Sequence, residues 1–363
     1  MLVEYQAKVF LMKNLRAICL FSSITTILVL GSLHSGALAE SGNAQISDPL
    51  EMVPVPAGTF TMGARHDGDD DRHASDDEYP RHEVTLSAYE IGKYEVTNGQ
   101  MVDVLNWALN QGYLENAAGQ SYSGQTTVYS HGEPLIDIHT EDNDSQIVYD
   151  NSSFDWRNRG GYSMEDHPVL QVSWYGAVCF ANWLSEMEGR TRLYDLNTWE
   201  LVDQFDNGYR LPTEAEWERA AAWDGTKHWI YGYQSDNPNA NRMNYNDSNP
   251  LGLDYPYTTP VGFYDGSGDT IDSPSPVGAY DMSGNLYEWV HDWYARDYYE
   301  GGAMTNPTGP STDTYKVRRG GSCYSEARDV RTAARWNFSP SSRPVTLGFR
   351  LVIPGTNQPH ELQ

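Results

Sequence analysis

From Trp223 to its end the chain carries almost no helical or strand periodicity, and this constrains the fold more than any other feature. Gly, Pro, Asn and Asp alternate there with aromatic residues, and the apolar runs are brief. Such a stretch folds only if large rings pack at half-buried positions while turn residues hold the backbone. The aromatic complement suits this, with 25 Tyr and 11 Trp against 9 Phe, because Tyr and Trp keep one end wet. At 39% hydrophobic and 20% charged residues over 363 positions, the chain has the composition of a globular protein. Neither a repeat nor a Pro/Ser linker divides it, and one loop-rich α+β domain over residues 52–353 is expected.

The N-terminus reads as a targeting segment. Lys13 and Arg16 precede an apolar stretch from Ala17 to Leu33, closed by Ala37, Leu38 and Ala39. This is the pattern of a secretory signal peptide over residues 1–39, cleaved before Glu40, with Met12 as the expected true start. The run is short for a membrane span, and Cys19 lies inside it, away from a lipoprotein position. The expectation is an exported protein, periplasmic or extracellular, with no membrane anchor after cleavage. A flexible leader would cover residues 40–51 and a tail residues 354–363. The net charge is -26, and residues 1–39 hold three cations to one anion, so the mature chain would carry about -28. That excludes a nucleic-acid partner, whose phosphates need a cationic surface, and suits divalent cations.

Local signals place several elements. Met52 to Gly63 and His82 to Leu86 read as strands, with an acidic, solvated loop from Asp67 to Glu78 between them. Thr97 caps a helix through Met101, Leu105 and Leu109. Residues 112–165 form a polar excursion packed on the same domain. Ser173 caps a helix whose apolar face is Ala177, Phe180, Ala181 and Leu184, and residues 191–208 read as an insertion. Thr213 and Glu216 make a capping box for a helix reaching Ala222.

Sequence chemistry is sparse. There is no nucleophile elbow, P-loop or dinucleotide fingerprint. His66, His73 and His82 lack metal-ligand spacing. Cys179 and Cys323 are the mature cysteines, and they either pair as a disulfide or pack as small hydrophobes. Asp281 and Glu288 flank a Gly-Asn turn, an arrangement shared by calcium sites and by ordinary capped turns.

Eight segments in order resemble the formylglycine-generating enzyme, or sulfatase-modifying factor, family. They are Gly58–Gly63, Pro80–Leu86, Lys93–Asn98, Pro168–Ala177, Arg210–Glu218, Gly278–Trp289, Arg319–Ser322 and Gly348–Arg350. The resemblance implies a C-type-lectin-like α+β fold of low regular secondary structure and two structural calcium sites. One maps onto Asp281, Glu288 and the carbonyls of Gly284 and Leu286. The other maps onto Asn241, the carbonyl of Arg242, Asp254 and the carbonyl of Pro256.

The departure from the family matters as much. Formylglycine-generating enzymes bind Cu(I) through two cysteines close together after the Gly-Gly-Ser segment, whereas here Cys323 stands alone after Ser322. Soft Cu(I) needs two thiolates, so copper is not expected. The three-histidine iron module of the ergothioneine-pathway relatives is missing too. The layout matches periplasmic maturation factors such as the one acting in pyoverdine chromophore formation. Three function classes follow. The first is a copper-independent maturation factor or enzyme acting on a peptide or secreted protein, through a groove near Arg319, Ser322, Cys323, Arg331, Arg335 and Trp336. The second is a non-catalytic module binding a peptide, protein or glycan on surface Tyr and Trp. The third is a true thiol-copper oxidase. Against the groove stands a plainer role for its arginines, pairing with carboxylates to fix loops.

Overall fold

The structure is a computed structural model and describes residues 45–138, 144–246 and 248–355. The signal-peptide and leader expectations through residue 44, and all but the first two residues of the expected tail, fall outside those residues. Among the described residues no helix is long and apolar enough to cross a membrane.

Three helices begin at the caps the sequence offers. Thr97 accepts from the Gln100 amide while Gln100 reaches back, opening Asn98–Gln111, which closes at Gly112 with a left-handed φ of 75°. Ser173 Oγ accepts from Gly176 to start Trp174–Met187. Thr213 and Glu216 form the reciprocal box of Glu214–Ala222. Short strands supply the rest. A four-stranded sheet runs Trp336–Phe338, Lys316–Arg319, Tyr287–Trp293, Leu347–Phe349, its last pair parallel. Two three-stranded sheets join Met52–Val55, Tyr89–Gly92 and Val352–Pro354, and Met304–Thr305, His82–Leu86 and Gly58–Met62.

The strand Tyr287–Trp293 organises the interior. Successive side chains of a strand face opposite ways, so Trp289 enters one apolar cluster and Val290 another. The first cluster holds both long helices with Phe349 and Leu351; the second holds Phe60, Val84, Trp217 and Val317.

Two regions differ from the sequence reading. The Asp67–Glu78 segment is not a solvated loop. It folds into a short helix, Gly68–His73, and a 3-10 turn, Asp76–Glu78, with Asp70, Asp77 and Glu78 buried. Residues 112–165 contain three two-stranded ladders, including Thr127–Ser130 with Glu133–Asp137. They feed Leu114, Val128, Leu135, Ile147 and Phe154 into the first cluster. Their apolar residues are too widely spaced for a core of their own, yet each burial contributes roughly 1.5–3 kcal/mol to the shared one.

Candidate functional site

The segment after Lys316–Arg319 turns through Gly320 and Gly321, both left-handed at φ 87° and 73°. A side chain at Gly321 would sit 2.5 Å from Val330 Cγ1, so only glycine lets the Ser322–Arg335 loop pack back on itself.

That loop carries the proposed groove residues, and the structure corrects their role. Arg319 bonds Glu214 at 2.7 Å and Glu218 at 2.6 Å. Arg335 grips both oxygens of Glu214 at 2.8 and 2.9 Å. Arg331 bonds Asp70 at 2.8 Å and both oxygens of Glu78 at 2.8 Å. All three arginines and their carboxylates are buried. Burial alone would push the Glu218 carboxyl up, but Arg319 and His228, bonded to it at 2.9 Å, hold it down at about 2. These guanidiniums are ties between loops and have no charge to offer a ligand, as the plainer reading held.

Ser322 and Cys323 are buried as well. The Ser322 amide donates to Ser325 Oγ at 3.0 Å, and the Cys323 amide to the Asn285 carbonyl at 2.9 Å. No disulfide joins Cys323 to Cys179. Cys179 lies inside the helical cluster, where burial, then Glu115, pushes its thiol well above the ordinary range. Of the six groove residues only Trp336 reaches the surface.

Around Trp336 stands a group the sequence reading missed. Ser325 Oγ donates to the Tyr287 hydroxyl at 3.2 Å, and the Tyr287 and Trp336 rings lie 6.3 Å apart. Arg318 places its guanidinium 4.0 Å from the Tyr287 ring and 4.9 Å from that of Phe338. Strand alternation was the available signal. With Val317 and Arg319 facing inward, Arg318 has to lie on the opposite face, beside Trp336, its cross-strand partner.

The two expected calcium positions differ. At the first, Asp281, Gly284 and Asn285 are all left-handed, so the turn doubles back sharply. Asn285 Nδ2 and the Leu286 amide donate to Glu95 at 2.9 and 3.2 Å, and the Gly262 amide to Asp281 at 2.6 Å. Glu288 takes two bonds from Arg350, at 2.6 and 2.7 Å, and one from Trp217 at 2.8 Å. Glu288 is thus paired with Arg350, while Glu95 and Asp281 act on the same guanidinium from farther away. Loss of water, then Asp281 and Glu288, push the Glu95 carboxyl well up, and loss of water with repulsion from Glu288 lifts Asp281 to about 6. Among the described residues nothing donates to the carbonyls of Gly284 or Leu286. Arg350 takes both Glu288 oxygens, so Asp281 and the carbonyls of Gly284 and Leu286 are the hard oxygen donors that a calcium ion would use here. No group of three acidic, His or Cys side chains converges among the described residues, so carbonyls would be essential to holding it.

The second position does not fit. Arg159 donates to the carbonyls of Asp254, Tyr255 and Pro256 at 3.0, 2.5 and 3.0 Å, so a cation of the chain already engages the expected ligand. Beside it, the Asn241 backbone carbonyl accepts from Ile271, and the Arg242 side chain bonds the carbonyls of Tyr233 and Asp272. The asparagine facing this loop is Asn244, bonded to the Tyr257 carbonyl at 2.9 Å.

Short strands around three capped helices, with arginine–carboxylate ties and a doubled-back turn at Asp281–Glu288, define a C-type-lectin-like scaffold of the sulfatase-modifying class. The sulfatase-modifying factor enzyme 1-like domain matches residues 38–354, and the chain belongs to that family. A formylglycine-generating enzyme of Thermomonospora curvata is 30% identical over 317 residues, covering 82% of this chain and 92% of that protein. The serine/threonine-protein kinase pkn1 of Chlamydia caviae is 31% identical over 334 residues, which is 91% of this chain and 42% of the kinase. The chain therefore spans about two fifths of that relative's length. Among solved structures, Treponema denticola variable protein 1 superposes with a TM-score of 0.58 at 24% identity, covering 86% of this chain and 98% of the other.

Proposed function

We propose that this is an exported, copper-independent maturation factor acting on a peptide or secreted protein, stabilised by one structural calcium ion. The observation that carries the copper-independent part is the state of the thiols. Cys323 is the single cysteine after Gly-Gly-Ser and is wholly buried, and Cys179 belongs to the helical core. Formylglycine formation through Cu(I) needs two accessible thiolates on one metal. The Ala37-Leu38-Ala39 boundary and the acidic charge support export.

The test is metal stoichiometry on the purified mature protein, loaded separately with Ca²⁺ and Cu(I), alongside an aldehyde assay on a cysteine-containing sulfatase peptide. The expected result is about one calcium, substoichiometric copper and no aldehyde. One tightly held copper that is lost in Cys323→Ser, together with aldehyde product, would establish an oxidase and sink the reading. N-terminal sequencing of the exported protein should begin at Glu40; retention in the cytoplasm at full length contradicts export.

A further inference from the structure

Arginines 210, 319, 331, 335 and 350 are each bound to an internal carboxylate. Arg318 is not. Among the described residues no carboxylate or carbonyl accepts from it, and its buried Nε has no acceptor. The Arg318 residue as a whole is half-buried, between the buried Val317 and Arg319. Its guanidinium lies between the Tyr287 ring at 4.0 Å and the Phe338 ring at 4.9 Å. Trp336 faces it across the strand pair, and its Nε1 also has no acceptor. Phe338 stays 37% exposed, so one wall stands open to solvent.

We propose that Arg318, walled by Tyr287, Trp336 and Phe338, is a recognition site for a carboxylate of a peptide ligand. A half-buried guanidinium held by aromatic faces is desolvated and pre-oriented, and its planar fork matches a carboxylate. No internal anion repays that desolvation, so the guanidinium meets an incoming carboxylate with its own water already lost on folding. The flat walls accommodate the peptide or ring beside the carboxylate. Lysine would not substitute, since it lacks both the fork and the stacking plane. The inference rests on the reading that this protein acts on a peptide, and it adds which chemical group that peptide presents.

Binding of short Tyr-flanked peptides to the mature protein, followed by calorimetry without copper, tests it. One peptide is blocked at both ends with a central Glu, a second carries Gln in its place, and a third has Gln and a free C-terminus. Binding of the first assigns a side-chain carboxylate, and binding of the third a C-terminal one. Either should weaken at least tenfold in Arg318→Gln and severalfold in Phe338→Ala, and should weaken on raising salt. Circular dichroism shows that each variant is folded, and the surface position of Phe338 keeps the test valid should Arg318→Gln misfold. Equal affinity for all three peptides, no binding by any, or undiminished binding in folded Arg318→Gln overturns the proposal. Because the readout needs neither copper nor product, an aldehyde-forming protein that still binds carboxylates would sink the maturation-factor reading alone.

Discussion

At the residue scale, burial decides what a charge does. Glu214 is held by Arg319 and Arg335 with no water to replace them. Glu214→Gln leaves two buried guanidiniums facing a neutral amide and should cost about 3 kcal/mol by urea denaturation. Arg296→Gln removes an exposed pair with Asp76 and should leave the midpoint unchanged. Lys316 illustrates the opposite balance. Its Nζ lies 3.9 Å from the Trp174 and Trp293 rings and donates to the His291 carbonyl at 2.8 Å, and burial lowers it to about 7 although Asp292 opposes the shift. Between pH 7 and about 10.5 the unfolded chain holds a proton that the folded chain has released, so this group makes stability rise with pH across that window. Below pH 7 the cost of burying the charge is paid in full. Lys316→Met should therefore show its greatest stability relative to the parent at pH 6, with the difference shrinking by pH 9.5. A difference in denaturation midpoints that is flat between those two pH values contradicts this.

Elements are where the sequence is most legible. Thr97, Ser173 and Thr213 open their helices because a cap is a contact over three residues, readable without knowing the fold. The acidic run at Asp67–Glu78 misleads for the converse reason: Asp70 owes its burial to Arg331, 261 residues away. The candidate groove failed likewise, since a cationic sequence says nothing of the carboxylates folded against it. Arg159 makes the same point for the loop at residues 254–256, which it reaches from about a hundred positions upstream with three bonds to carbonyls. Arg159→Ala should destabilise the protein by about 2–3 kcal/mol, as expected when several carbonyls lose a charged donor. The parent should take no more than one equivalent of calcium in titration calorimetry; two equivalents would show that the guanidinium gives way to the metal.

Across the whole molecule, the two apolar clusters meet on one strand. Trp289 is buried in the first and also donates its indole N–H to the Val172 carbonyl at 3.0 Å, just before the second long helix. Val290, its immediate neighbour, is buried in the second beside Val317 and Trp217. Adjacent residues of one strand cannot leave their clusters separately without breaking the pairing with Lys316–Arg319 and Leu347–Phe349. Despite its size and sparse regular structure, the described part of the chain should therefore unfold as one cooperative unit. Trp289→Ala removes the largest anchor of that junction and should cost about 3–5 kcal/mol. Helix content by far-ultraviolet circular dichroism and aromatic packing by near-ultraviolet dichroism should shift to lower denaturant together. Non-coincident transitions, with the Phe60 and Val84 cluster surviving the loss of the helical one, would show that the central strand does not couple them.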